Sequence, residues 1–392
     1  MIEYSKLLSA RAQALKPSGI RKFFDVAGTM EGCISLGVGE PDFKTPWMIR
    51  DAGIKSLERG KTWYTSNAGL AEMRAEIAAY LERRFELHYD PQSEMLVTVG
   101  GSEAIDLALR AVLEPGDEVI IPEPCYVSYA PLTSLVGGVP VSVPLKAENG
   151  FRLTAEELRA KITPRTKILV LPFPCNPTGA VLRERHLAAL AEVLQDTDIL
   201  VLTDEIYAEL TYGARRHVSI ASLPGMKERT IYINGFSKAY AMTGWRLGYV
   251  CAPAPLMKAM TKIHQYAIMC APTTSQYAGI VALREGDDAI EAMRDEYDMR
   301  RKFLVSALNR MGMTCFEPEG AFYVFPSIAV SGLRSEEFCE KLLFSKKVAV
   351  VPGTAFGDSG EGFVRISYSY SVAHLSEALG RIEEFLKECG HG

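Results

Sequence analysis

Nowhere in the 392 residues is there a run of about 18 uninterrupted apolar side chains, the length a helix needs to cross a lipid core, so no membrane span is expected. The first two dozen residues lack the apolar stretch of a secretion signal, and Glu3 speaks against an organelle-targeting leader. No CxxC pair occurs among the eight cysteines, which sit mostly in apolar surroundings such as Val250-Cys251-Ala252. They are expected to be buried free thiols in a reducing compartment, and the cytoplasm is the natural location. No cluster of histidine and cysteine has ligand spacing, so no metal is expected. A basic excess is also missing: 43 Lys and Arg stand against 48 Asp and Glu, a formal charge of -5. That balance removes the electrostatic case for nucleic acid or an anionic membrane as partner. Repeats, low-complexity tracts and charge blocks are absent too.

What remains is an ordinary globular composition, 48% hydrophobic and 23% charged, on a chain long enough for two cores. Short apolar runs at 95–99, 118–121, 139–143, 167–171, 198–203, 230–233 and 247–251 read as strands. Most are near-continuous rather than alternating, which fits strands covered on both faces. Amphipathic helical stretches lie between several of them, such as 102–113 with Ile105, Leu107, Leu109 and Val112. This predicts an α/β fold, with a large domain at 41–285 built on a mostly parallel seven-stranded sheet flanked by helices. After about residue 282 the pattern changes. A long charged helix at 287–310 is followed by short strands at 321–325, 348–351 and 363–367, and by helices near 336–343 and 374–387. A smaller α+β domain is predicted at 286–392. Residues 1–40 have too little core of their own and are expected to pack with it.

Several polar residues stand where chemistry is possible. Lys238 follows a predicted strand, and ligands of α/β sheets gather at the carboxyl ends of strands, where a desolvated lysine can act as a nucleophilic amine. Its ordinary reading is a solvated loop lysine. Val99-Gly100-Gly101-Ser102 closes a strand and opens a helix with Ser102 near the N-cap; free backbone N–H groups there suit a phosphate, or the segment is a plain capped turn. Asp204, just past a buried strand, needs a partner, either a buried cation such as a protonated pyridine nitrogen or a protein group. Arg246 stands near Lys238 and can grip an anion bidentately. Asn176 sits in a Pro-Cys-Asn-Pro-Thr-Gly turn that can aim its amide inward or simply shape the loop. Arg365 lies within an apolar strand and calls for an anion. Together they match the needs of one phosphorylated aromatic aldehyde: an amine, a phosphate cradle, a carboxylate for a ring nitrogen, and donors for a phenolate oxygen.

These residues, with the segments Ser35 to Asp42, Tyr64 to Gly69, Cys175 to Gly179, Thr203 to Tyr207, Ser237 to Arg246 and Val364 to Ser367, resemble the class I/II aminotransferases of the fold-type I pyridoxal-phosphate superfamily. The matches run nearly end to end. The resemblance implies pyridoxal 5'-phosphate as cofactor, held as a Schiff base on Lys238, which also shuttles the proton. It implies Asp204 at the pyridinium nitrogen and Tyr207 and Asn176 at the phenolic oxygen. Gly101, Ser102, Ser237 and Arg246 would hold the phosphate, and Tyr126 would stack on the ring. Arg365, Asn176 and the backbone at Gly39 would bind the substrate α-carboxylate. Tyr64 would reach the phosphate of a neighbouring subunit, so a homodimer with shared sites is implied. The implied reaction moves an amino group from an L-amino acid to a 2-oxo acid, with 2-oxoglutarate as acceptor by family habit.

The sequence departs from the family in two places. Gly235 stands three residues before the lysine, where many relatives carry Ser or Thr, so a phosphate hydroxyl is missing or Ser237 replaces it. The stretch 247–283 contains no arginine of the kind some aspartate-specific relatives use. Lys258, Lys262 and His264 there read as solvated helix side chains, and Glu103 as exposed. Ile20, Phe23, Tyr64, Tyr126 and Phe322 either line an apolar pocket or belong to the core, and aromatic or broad specificity is the expectation. Two alternatives stay open: a pyridoxal-phosphate lyase acting on sulfur amino acids by β-elimination, and a non-catalytic ligand sensor on the same fold.

Overall fold

Aliphatic runs apolar on every residue find burial for both faces only inside a sheet covered on two sides. The computed structural model, which describes residues 2–17, 28–213 and 216–390, gathers seven such runs into one sheet. Strand β1 (Ile34–Ser35) lies elsewhere. The sheet is made by β2 (Met95–Thr98), β3 (Glu118–Glu123), β4 (Val139–Pro144), β5 (Thr166–Leu171), β6 (Leu200–Asp204), β7 (Thr230–Gly235) and β8 (Gly248–Cys251). Their spatial order is β2-β8-β7-β6-β5-β3-β4, and only β8 runs antiparallel to its neighbours. The predicted α/β class and the mostly parallel sheet are therefore what the chain forms.

The edge strand β4 departs from the expectation of two covered faces. Most of its side chains are exposed, and Val139 is 40% accessible. It pairs with β3 alone, and Pro140 and Pro144 have no N–H to offer an outer neighbour, as suits an edge.

The helix Gly100–Val112 lays Ala104, Ile105, Ala108 and Leu109 on the sheet. Opposite it, helices Trp47–Glu58, Ala71–Phe85 and Thr273–Glu285 cover the other side, with Ile49, Met73, Ile77 and Ile280 packed on Val97, Tyr232 and Tyr249. Past the long helix Asp287–Arg310, strands β9 (Tyr323–Val324), β11 (Val351–Pro352) and β12 (Val364–Ser367) form an antiparallel sheet in the order β11-β12-β9. Helices Ser335–Lys346 and Val372–Glu388 bury Phe338, Leu342, Leu375 and Ile382 in the core beneath it.

The N-terminal segment divides. Strand β1 pairs in parallel with β10 (Val348–Ala349), and Leu36 is fully buried in the same core. The short helix Ala10–Ala14 lies instead beside the helix Tyr129–Leu135, where Arg11 donates to the Leu135 carbonyl. From β1 the chain runs through Gly39 and Glu40 to Asp42, which Arg300 of the long helix grips at 2.8 Å. That ion pair holds the 37–42 segment over the carboxyl ends of the central strands.

Candidate active site

Every site position expected above, apart from Tyr64, faces one cavity of about 680 Å³. This lies within the usual size of a small-molecule pocket. The parallel strands deliver the residues: Gly101 and Ser102 follow β2, Asn176 follows β5, Asp204 ends β6 and Lys238 follows β7. All are at carboxyl ends, where loops can reach over a ligand without breaking the sheet ladder.

Lys238 is partly accessible from the cavity, and its Nζ donates to the Gly39 carbonyl at 2.6 Å. Burial lowers its pKa from the ordinary 10.5 to about 8; Glu40 opposes this shift, Arg365 and Arg246 add to it, and Asp204 opposes it. The loop that carries the lysine is clamped from outside. The Trp245 indole donates to Thr45, Thr45 donates to the Ala241 carbonyl, and Ser275 donates to the Trp245 carbonyl.

Asp204 is buried, and its two oxygens accept from the Tyr129 hydroxyl at 2.8 Å and from the Ile206 amide at 3.2 Å. Burial pushes its carboxyl up, opposed by those two bonds, reinforced by Glu205 and opposed by Lys238. A buried carboxylate held only by neutral donors favours a cationic ligand atom on its open side.

The turn after β2 is the tightest place in the site. Gly100 has φ +75°, and a Cβ there would come within 2.7 Å of the Arg246 guanidinium. Gly248 of β8 lies against this turn, and a Cβ on it would sit 2.6 Å from the Gly100 carbonyl carbon and 2.7 Å from the Gly101 nitrogen. The helix begins at Gly100, so Ser102 stands inside its first turn and caps nothing, contrary to the N-cap expectation. Glu103 takes up the free Val99 N–H instead. The first-turn amides and Arg246 leave a cradle for a dianion. Gly235 points away from it: a Cβ there would meet Gly248, Ile206 and Leu247 at 3.1 Å each, whereas Ser237 faces the cavity.

Arg365 is 3% accessible. It donates to Asn176 Oδ1 at 2.7 Å and to the Gly37 carbonyl, and its Nε has no partner. Its guanidinium is sandwiched between the rings of Tyr323 and Phe356, 4.5 and 4.8 Å from their centroids. Burial lowers its pKa, and among the described residues no carboxylate lies within ion-pair distance. A buried cation with a spare donor and no counter-charge is a built anion site.

Several readings need correction. His264 is fully buried rather than solvated, with Nδ1 2.5 Å from Glu103 Oε1, and the Glu103 side chain is only 10% accessible. The pair braces the Gly100–Gly101 turn from behind, joining two helices that pack on each other through a buried polar contact. Lys258 and Lys262 are exposed, as expected. Phe322 belongs to the core, although its ring lies 5.7 Å from the lysine nitrogen. Ile20 and Phe23 fall outside the described residues. Tyr64, expected at a neighbouring subunit's site rather than its own, is 76% accessible and does not line this cavity. The sequence reading missed Tyr129, Tyr323 and Glu40.

Compared with known proteins, residues 31–382 match the model of the family described as aminotransferase class I and II. The chain is 55% identical to a putative aminotransferase, YugH, of Bacillus subtilis (strain 168), over 97% of its own length and 98% of the relative's. It is 48% identical to an aspartate aminotransferase of Pyrococcus abyssi, with 97% and 98% covered. The crystal structure of an aromatic aminotransferase from Pyrococcus horikoshii OT3 superposes with a TM-score of 0.90 at 45% identity, with 95% of this chain and 100% of that one covered. A lysine of lowered pKa, a buried carboxylate and two guanidiniums thus line one cavity on a backbone shared nearly end to end with these enzymes, and the chain belongs to the class I and II aminotransferases, a pyridoxal-phosphate-using family whose members act on amino acids and 2-oxo acids.

Proposed function

We propose that this enzyme holds pyridoxal 5'-phosphate on Lys238 as a Schiff base and transfers the amino group of an L-amino acid, aromatic or of broad range, to a 2-oxo acid, with 2-oxoglutarate as acceptor. The observation that carries the reading is the shared cavity of Lys238, Asp204, Arg246 and Arg365. The donor set fits the group. An amine of lowered pKa suits an aldehyde carbon, and a buried carboxylate whose hydrogen bonds come from neutral donors suits a protonated ring nitrogen. First-turn amides, Ser102, Ser237 and Arg246 suit a phosphate.

When bound, the cofactor supplies an electron sink for the substrate's α-carbon. The chain's own residues do the rest. Asp204, held by Tyr129, keeps the ring nitrogen protonated. Tyr207 and Asn176 donate to the phenolic oxygen, and Tyr126 covers the ring. Arg365 holds the substrate α-carboxylate with Asn176 and the Gly39 region, which fixes the direction of the Cα–H bond. With substrate bound, the Lys238 amine would serve as the general base for that proton and then, protonated, as the general acid.

Relatives and solved neighbours carry both aspartate and aromatic names, and the cavity wall offers Tyr126 and Tyr323 beside Glu40. Tyr64, Trp63, Tyr266 and Met269 are all exposed, Tyr64 and Tyr266 at 76% and 88% accessibility. This supports a homodimer in which Tyr64 reaches the partner's phosphate. We also read 41–285 and 286–392 as two units that meet at the cavity, and the enzyme as cytoplasmic.

Lys238→Ala should lose the visible absorption band of the loaded enzyme and all turnover. Asp204→Ala should stay folded and lose at least about 100-fold in kcat, the scale of a removed electrostatic stabiliser. Normal transamination by either variant contradicts the assignment. A stopped-flow screen of amino acids one at a time would then rank the donors.

A further inference from the structure

Tyr323 touches Tyr207, Arg365 and Gly39, three parts of the site at once. It lies on β9, whose register sets Ser367 opposite it and therefore Arg365 diagonally across on the same face. Its ring is the surface on which the Arg365 guanidinium rests, 4.5 Å from the centroid. Its hydroxyl lies 2.8 Å from that of Tyr207, and both side chains are buried. Gly39 leaves room for it: a Cβ at that position would lie 2.6 Å from the Tyr323 oxygen. On its other side, the Gly39 carbonyl accepts from Lys238.

A phenol has one proton to give. If Tyr207 gives its proton to a ligand oxygen in the cavity, then the proton on the 2.8 Å bond between the two hydroxyls must come from Tyr323. The cation over the Tyr323 ring favours this direction, since it makes Tyr323 the more acidic of the two. Arg365 and the bond to Tyr207 both act to lower the Tyr323 value against burial, which raises it; Tyr126 and Glu40 also face Tyr323 and raise it. Tyr207 is raised well above the ordinary phenol range by burial and by Tyr323, with Arg365 opposing and Asp204 adding. A hydroxyl that accepts one hydrogen bond is a stronger donor of the next.

We infer that Tyr323 is a positioning residue for both halves of the site: its hydroxyl orients the Tyr207 proton toward the cofactor's phenolic oxygen, and its ring holds Arg365 for the substrate carboxylate. The inference rests on the cofactor reading above, and the two contacts can be separated. Tyr323→Phe keeps the ring and removes the hydroxyl. With less support for the phenolate, the proton on the neighbouring imine nitrogen becomes harder to remove. The pH midpoint of the visible spectral change in the pyridoxal-phosphate-loaded enzyme should rise by about half a unit to one unit. KM for the amino donor should stay within about twofold. Tyr323→Leu removes the ring as well and should raise KM about tenfold, the scale of a cation–π contact in a dry site. In a Tyr207→Phe background, Tyr323→Phe should add no further shift of the midpoint.

A Tyr323→Phe midpoint equal to wild type overturns the inference. So does an undiminished shift in the Tyr207→Phe background, or a KM that rises as much for Phe as for Leu. Should Tyr323→Leu fail to fold, the Phe variants alone decide the hydroxyl's part, and Phe356→Leu, which bares the other face of Arg365, decides whether ring contact sets KM. If the wild-type enzyme shows no pH-dependent visible band at all, the cofactor reading fails, and that result is distinct from failure of this inference.

Discussion

Lys238→Met in the ligand-free protein isolates what it costs to keep an ammonium group in the cavity. Methionine keeps most of the stem and removes the charge. The amine falls from the ordinary 10.5 to about 8, chiefly through burial, with Glu40 and Asp204 opposing and Arg365 and Arg246 adding. That gap corresponds to about 3 kcal/mol between charging the lysine in the fold and in the unfolded chain. Between about pH 8 and pH 10.5 the unfolded chain keeps a proton that the folded one has released, so the wild type gains stability as pH rises through this window. Below it, the full cost is present; above it, none. Lys238→Met should therefore exceed the wild type at pH 7 by about 2 kcal/mol, after about 1 kcal/mol for the lost bond to the Gly39 carbonyl. The advantage should shrink toward pH 10. Urea unfolding of both proteins at several pH values from about 7 to about 10 measures it, and taking the difference cancels the other titrating side chains. A variant no more stable at pH 7, or an advantage independent of pH, refutes the reasoning. The same shift serves reactivity. At pH 7 the free-amine fraction of such a lysine is about 300-fold that of an ordinary one.

Gly248→Ala would push a methyl into the Gly100–Gly101 backbone, and backbone cannot swing aside as a side chain can. The expected result is a loss of about 1–3 kcal/mol in unfolding experiments together with weaker pyridoxal-phosphate binding by titration; full stability and affinity would show that the turn is not held as described. Arg365→Lys keeps the charge but cannot fork between Asn176, Gly37 and a ligand. KM for the amino acid should rise about 30-fold, from roughly 2 kcal/mol of lost bidentate binding, with kcat falling less. Steady-state kinetics showing a loss in kcat alone would place Arg365 away from the substrate carboxylate.

Local pattern alone determined much of this protein. The strands were legible because a run of aliphatic residues buried on both faces has few other uses, and the helix Asp287–Arg310 because its polar and apolar residues repeat at helical spacing. Lys238, Asp204 and Asn176 were legible as polar groups at or past the ends of buried strands, and Arg365 as a cation inside one, places where a polar side chain needs a partner. The resemblance to a family carried their roles. What the linear pattern could not carry was pairing across the chain. His264 read as one solvated helix residue among several, because nothing local says that Glu103, 161 positions away, will meet it in the interior. Ser102 read as a cap because capping chemistry is local, whereas the helix start was set by Gly100 fitting beneath Arg246 and beside Gly248. Tyr129 and Tyr323 were ordinary aromatics until β6, the helix after β3 and the antiparallel sheet brought their hydroxyls against Asp204 and Tyr207. Periodicity reports which face of an element is buried, and only the packed chain decides what that face is buried against.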